Sequence, residues 1–133
     1  MRAAGVLLLA LLAGCAAPAS RCAGLAGTPM LAATLYFGRS AGSATIDEAA
    51  WRNFLAEAVT PRFPAGFTVL DGYGQWRGQA SGRITSEPST VVIVLAEPGA
   101  ASLAALAAIR ADYQRRFAQE SVGLALADSC ASF

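Results

Sequence analysis

A chain of 133 residues that is 55% hydrophobic and 14% charged, with a formal net charge of +1, has room for one ordinary domain and carries no basic footprint for nucleic acid. Histidine is absent and all ten basic residues are arginine. This excludes histidine acid-base catalysis, Ser-His-Asp and Cys-His nucleophile systems, His-ligated metals and lysine Schiff bases.

Met1 and Arg2 precede an apolar run from Val6 to Leu12, and the small residues Ala13 and Gly14 stand immediately before Cys15. A positive start, a short apolar run and small residues at a break make a secretory signal peptide. The run is far shorter than the roughly 20 residues that span a bilayer. Leu12-Ala13-Gly14-Cys15 resembles the bacterial lipoprotein box, which implies cleavage before Cys15, thioether lipidation of its sulfur and acylation of the new amino group. The expected organisation is a signal peptide over 1–14, a lipidated tether over 15–31 and one domain over 32–133. The protein is expected in the cell envelope, held to a membrane by the lipid on Cys15 and facing the periplasm or exterior. Ala16 after the lipidated cysteine favours the outer membrane where the bacterium has one. Each buried methylene contributes about 0.8 kcal/mol and stable attachment needs two chains, which a three-chain terminus exceeds.

With Cys15 lipidated, Cys22 and Cys130 remain as one pair in an oxidising compartment. A bridge between them closes a long loop and stabilises by about 4–5 kcal/mol in the chain-entropy account. The alternatives are two free thiols or an intermolecular bridge. A catalytic thiol is not expected, because neither histidine nor lysine is present to lower its pKa.

From Ala16 to Gly27 the chain is small-residue-rich, with Pro18, Gly24 and Gly27, and reads as tether. Ala33 to Gly38 is β-branched and aromatic and predicts a first strand. Thr45 with Glu48 three residues later is the capping-box spacing, so a helix is predicted to start there. Trp51, Phe54, Leu55 and Ala58 share its apolar face, and Pro61 stops it near Val59. Phe67 to Trp76 predicts a second strand, whose Gly72 and Gly74 mark a bulge, a bend or a close approach by another group. Arg77 to Pro88 is turn-rich and reads as a hairpin connection. Thr90 to Leu95 is apolar on both faces and suits a central strand buried on both sides. Glu97-Pro98-Gly99 is a turn. A second helix over about Ala101 to Ala118 aligns Leu103, Leu106, Ile109, Tyr113 and Phe117, and Arg115 and Arg116 lie in its last turn, where they suit the helix dipole. Val122 to Leu126 alternates and predicts a last strand.

The order strand, helix, strand, strand, helix, strand is the split βαβ pattern, so the expected class is α+β and ferredoxin-like, a four-stranded antiparallel sheet with two helices on one face. Its first and third strands are central, and its first and fourth are antiparallel neighbours. That brings Cys22, ahead of the first strand, and Cys130, after the last, to the same edge.

Leu35-Tyr36-Phe37-Gly38-Arg39, Val59-Thr60-Pro61-Arg62-Phe63-Pro64 and Val69-Leu70-Asp71-Gly72-Tyr73-Gly74-Gln75-Trp76-Arg77 resemble a family of small bacterial secreted proteins and lipoproteins known as domain of unknown function 3574. The likeness extends through Glu87-Pro88-Ser89, Tyr113, Phe117 to Val122 and the ending around Cys130 and Phe133. It implies an envelope location and a conserved sheet surface, and no substrate.

The candidate surface and ligand residues are Tyr36, Arg39, Arg62, Asp71, Tyr73, Gln75, Trp76 and Arg77. On the open face of such a sheet, side chains meet water, a ligand or a second subunit. Aromatic walls with an Arg-carboxylate pair would suit an anionic or planar ligand. The competing reading is edge-strand decoration, with a buried Asp71 that accepts turn amides or pairs with an arginine. Tyr73 and Gln75 share one face of their strand, and Leu70 and Trp76 the other. Trp51, Tyr113 and Phe117 are expected in the core. No paired acids, phosphate loop or metal-ligand spacing appears, so no cofactor, no metal and no catalytic residue is expected. The expected function is a non-catalytic binding or assembly module of the envelope. The alternatives are a small cofactor-independent enzyme working as a dimeric ferredoxin-like barrel and a structural component without ligand. Expected partners are the membrane and a homodimer or envelope protein, with no nucleic acid.

Overall fold

A computed structural model describes residues 19–41, 44–77, 79 and 81–133; the leader and Cys15 lie outside the described residues. The chain forms α1 (Ala19–Gly24), β1 (Thr28–Gly38), a ribbon of Ser40–Ala41 with Ala44–Thr45, α2 (Glu48–Phe54) continued by a π turn (Leu55–Val59), β2 (Thr68–Arg77), β3 (Ile84–Ala96), α3 (Ala100–Phe117) and β4 (Gly123–Ala131). The four long strands make one antiparallel sheet in the order β2-β3-β1-β4. The architecture is α+β with three helices.

Burial in β1 alternates. Leu31, Ala33, Leu35 and Phe37 are buried on the helix side, where Val92 and Val94 of β3 join them. Phe37 is the hub: its ring centroid lies 4.7 Å from Tyr113 of α3 and 5.2 Å from Trp51 of α2, both edge-to-face. Such pairs add about 0.5–1.5 kcal/mol beyond area burial. Phe54, Val59, Leu106, Ile109 and Val122 complete the core.

The structure corrects several sequence expectations. β1 begins at Thr28, and α1 occupies part of the stretch read as tether. The reason is pairing: Thr28, Pro29 and Met30 lie opposite Ala131, Cys130 and Ser129 of β4, and Cys22 is bridged to Cys130 with Cα atoms 5.3 Å apart. Pro29 is tolerated because β3 ends at Ala96 opposite Leu31, so on that side no ladder needs its missing N–H. The cap of α2 is Asp47, whose side chain accepts a 2.7 Å hydrogen bond from the Ala50 amide, whereas Thr45 pairs with Ser40 in the ribbon. The helix then widens: the Thr60 amide donates to the Leu55 carbonyl at 2.8 Å, five residues back. β3 starts at Ile84, so the hairpin connection is shorter than predicted. Only Thr90, Val92, Val94 and Ala96 of β3 are buried. Val91, Ile93 and Leu95 are half-buried, because no element among the described residues covers the second face of the sheet. Leu103 is exposed rather than part of the buried stripe of α3. No helix among the described residues is long and apolar enough to cross a membrane.

Candidate active site at the end of β1

Residues directly opposite one another in antiparallel strands share a face. Tyr36 lies opposite Val91 and Gly123, Gly38 opposite Ser89, Gly72 opposite Ser89, and Gly74 opposite Glu87. Since Phe37 and Thr90 point into the core, these positions point out of the open face. Four of them are glycine, one or two on each of three strands. They form a floor without side chains, and polar groups lie down on it. Glu87 Oε1 is 2.8 Å and Gln119 Oε1 3.1 Å from where a Cβ on Gly38 would stand. Ser89 Oγ is 2.8 Å from the same point on Gly72, and the Tyr36 ring 3.2 Å from that on Gly123. A side chain at Gly38 would displace the Glu87 carboxylate, which is the close approach that a glycine inside a strand permits.

Beneath the floor the end of β1 is clamped. The Tyr113 hydroxyl donates to the Gly38 carbonyl at 2.7 Å. The Gln119 amide nitrogen donates to the Ser40 carbonyl. Arg39, 8% exposed, sends Nη1 to Thr90 Oγ1 at 2.9 Å and Nη2 to the Ile46 carbonyl at 3.0 Å and Glu48 at 3.5 Å, with its guanidinium 4.9 Å from the centre of the Trp51 ring. Its Nε is buried without a partner among the described residues. Burial pushes the Tyr113 phenol up to about 12, with Arg39 opposing and Glu87 reinforcing the shift. The phenol is therefore a donor at physiological pH and cannot serve as a base.

The half-buried Glu87 is the group here that can take or give a proton, or balance a cation, with Gln119 beside it over Gly38; on the same face Ser89 lies over Gly72 and the Tyr36 ring over Gly123. Strongly perturbed groups concentrate where chemistry is done, and the raised phenol of Tyr113 lies at this end of the sheet.

Of the eight candidates read from the sequence, Tyr36 and Trp76 share the open face, each about half exposed. Arg39 is a core clamp rather than a surface anion contact. Arg62 lies at the other end of the domain, 3.0 Å from Asp112 and donating to the Ala58 carbonyl. Asp71 is exposed opposite Thr90 rather than buried with an arginine. Tyr73, Gln75 and Arg77 follow Asp71 on the helix side of β2, and Arg77 Nε donates to the Gly82 carbonyl at 2.9 Å. The expected Arg-carboxylate pair does not form among them. Sequence reasoning missed Glu87, Ser89 and Gln119 and read Tyr113 as core alone; the pointer was the set of glycines at strand positions. A cleft of about 780 Å³ lies at the opposite end, lined by Met30, Arg62, Phe63, Glu97, Ser102 and Phe133 among others. Its arginine is held by Asp112, and it gathers no comparable cluster.

The profile of a family described as "Protein of unknown function (DUF3574)" matches residues 32–133. The chain belongs to this family. No functionally curated protein matches it. Two solved structures share its fold. One is a phage SAM lyase in complex with S-methyl-5′-thioadenosine, at TM-score 0.57 and 17% identity, covering 77% of this chain and 90% of that one. The other is a phage SAM lyase in the apo state, at 0.55 and 15%, covering 80% and 92%. These findings correct the expectation of a non-catalytic binding or assembly module: the fold that DUF3574 residues adopt here is one that an enzyme uses.

Proposed function

We propose that the chain is a small enzyme on a ferredoxin-like domain, working from its own side chains without a bound cofactor, with lyase-type chemistry on a small substrate that carries a positive centre. The strand order β2-β3-β1-β4 with intervening α2 and α3 supports the ferredoxin-like assignment. The observation that carries the function is the Glu87 carboxylate lying over Gly38 on a glycine floor, on the open face that also carries the ring of Tyr36 over Gly123. A carboxylate and an aromatic face both attract a cation. A carboxylate so placed can also take the proton from the carbon β to a sulfonium in an elimination, as the carbon–sulfur bond breaks toward sulfur to release a neutral thioether and an alkene. A sulfonium such as S-adenosylmethionine, the substrate class named for the enzyme of like fold, meets both conditions.

The test is to incubate the purified protein with S-adenosylmethionine and follow release of S-methyl-5′-thioadenosine by chromatography. Turnover is expected, and Glu87→Gln is expected to lower it by about 10²–10⁴-fold, the usual range for one acid-base group. Absence of both turnover and binding would remove this substrate class. Turnover undiminished in Glu87→Gln would remove the site. The envelope location remains part of the proposal, supported by the leader and the lipoprotein box. Cys15→Ser is expected to move the protein out of the membrane fraction.

A further inference from the structure

β2 is an edge strand. Its partner β3 occupies one side, and among the described residues no strand lies against the hydrogen-bonding groups along the other side of Thr68–Arg77. A long edge with no lysine, proline or bulge is a template for pairing with another strand. The outer half of β2 is also short of support. β1 ends at Gly38 opposite Ser89, so Tyr73–Arg77 and Ile84–Pro88 continue as a two-stranded arm beyond the rest of the sheet. Tyr73 is 71% and Ile84 67% exposed on it. An isolated pair of strands is marginal in water, and a monomer rarely leaves such a run of large apolar side chains uncovered.

The strand is self-complementary about Gly74. We propose that two copies of the chain join edge to edge through β2, antiparallel about a two-fold axis at Gly74. In that register Asp71 faces the partner's Arg77 and Arg77 the partner's Asp71, Tyr73 faces the partner's Gln75, and Gly72 faces the partner's Trp76. Every pair lies on one side of the sheet, because positions 71 and 77, 73 and 75, and 72 and 76 have like parity. A two-fold contact must be self-complementary in this sense. Opposite charges and an aromatic over a glycine are the cross-strand pairs that stabilise a sheet. The two sheets become one of eight strands.

The arrangement also deepens the proposed site, and this second part rests on the Glu87 reading while the pairing does not. Glu87 faces Gly74, so the two Glu87 residues stand three strand spacings apart, about 14 Å, on the same open face. The glycines of both copies floor the strip between them. The partner's Trp76, set over Gly72 next to Ser89, supplies an aromatic wall to each site.

Analytical ultracentrifugation of the purified protein and its variants tests the pairing. A dimer is expected. Asp71→Arg alone and Arg77→Asp alone are each expected to weaken it by about ten-fold or more, since two attractive pairs become repulsive, and the double exchange is expected to restore it. Tyr36→Glu, in the middle of the open face, is expected to leave the dimer intact. Gly74→Cys is expected to cross-link two copies on oxidation, because facing Cα atoms in such a pair lie about 4.5–5.5 Å apart, within disulfide range. The added Cβ meets nothing closer than 3.8 Å. Thr68→Cys, far from the axis, is expected not to cross-link. A monomer at all concentrations, a dimer indifferent to the charge exchange, or a dimer lost with Tyr36→Glu would each overturn the pairing. A dimer cross-linked through Gly74 whose Glu87→Gln variant turns over normally would keep the pairing and remove the site reading.

Discussion

The two ends of the sheet are held in opposite ways. At one end β1 and β4 run together to Thr28 and Ala131, α1 folds back on them, and the Cys22–Cys130 bridge closes a separation of 108 residues. At the other end β1 and β4 have stopped, and β2 and β3 run on alone as an arm exposed on both faces. Between them lies the aromatic core around Phe37. The contrast teaches where a change in this molecule costs stability and where it changes what the molecule can touch. Covalent and packing constraints are concentrated at the closed end and in the middle, and the glycine floor with Glu87 lies at the border of the free end.

The largest effect should come from opening the closed end. Replacing both Cys22 and Cys130 by serine is expected to lower the unfolding free energy by about 4–5 kcal/mol in the chain-entropy account, read as a lower midpoint in urea. A loss below about 1 kcal/mol would mean that the strand pairing of Thr28 to Met30 holds that end unaided. Next comes the middle. Phe37→Ala removes the ring that both Trp51 and Tyr113 meet edge-on and is expected to cost about 3–5 kcal/mol.

Much of this division was legible in the sequence. Helical and strand periods placed α2, α3 and the four long strands, and the odd cysteine count pointed to Cys22 with Cys130. The local details were not legible, for identifiable reasons. Arg39 follows a strand end, where arginines are ordinarily solvated. It is buried because the alternation of β1 continues one residue past Gly38 and turns position 39 toward Trp51. Glu87 sits between Ser86 and Pro88, a composition that reads as turn, yet the strand runs through it. Proline is accepted at 88 because its carbonyl still accepts from the Arg39 amide at 2.9 Å, while the Arg39 carbonyl that an N–H at 88 would meet accepts from the Ile46 amide at 2.7 Å instead. Gly72 and Gly74 read locally as a bulge, a bend or a close approach within one strand. Their meaning depends on three strands aligning, and no local window contains that.

Tyr113 links the middle to the free end, and its effect is smaller and depends on pH. Its phenol is held at about 12 against an ordinary 10.0, chiefly by burial. The unfolded chain therefore loses this proton at a lower pH than the folded one. The stabilisation is fully present below pH 10 and is lost as pH rises toward about 12, a change on the order of 2–3 kcal/mol. Thermal midpoints between pH 9 and 12 should fall in the native protein and fall less steeply in Tyr113→Phe. That variant should also start lower at pH 7, by about 1–3 kcal/mol, because the Gly38 carbonyl loses its donor. Parallel curves for the two proteins would mean that burial of the phenol does not govern the alkaline transition.

The smallest effect belongs to the arm, and there the dependence on concentration carries the information. Tyr73 stands on the helix side of β2 but beyond the reach of the helices, 71% exposed, so Tyr73→Ala in a dilute monomer is expected to change stability by no more than about 0.5 kcal/mol. If the arm is the joining element, the same substitution removes the side chain that faces the partner's Gln75. The midpoint of the native protein should then rise with protein concentration, as any fold stabilised by association must, and the rise should be shallower in Tyr73→Ala. Urea melts at two concentrations a hundred-fold apart separate the cases. Identical midpoints in the native protein would show that the free end stays free, and a concentration dependence confined to the native side chain would show that its exposure is the surface of a contact.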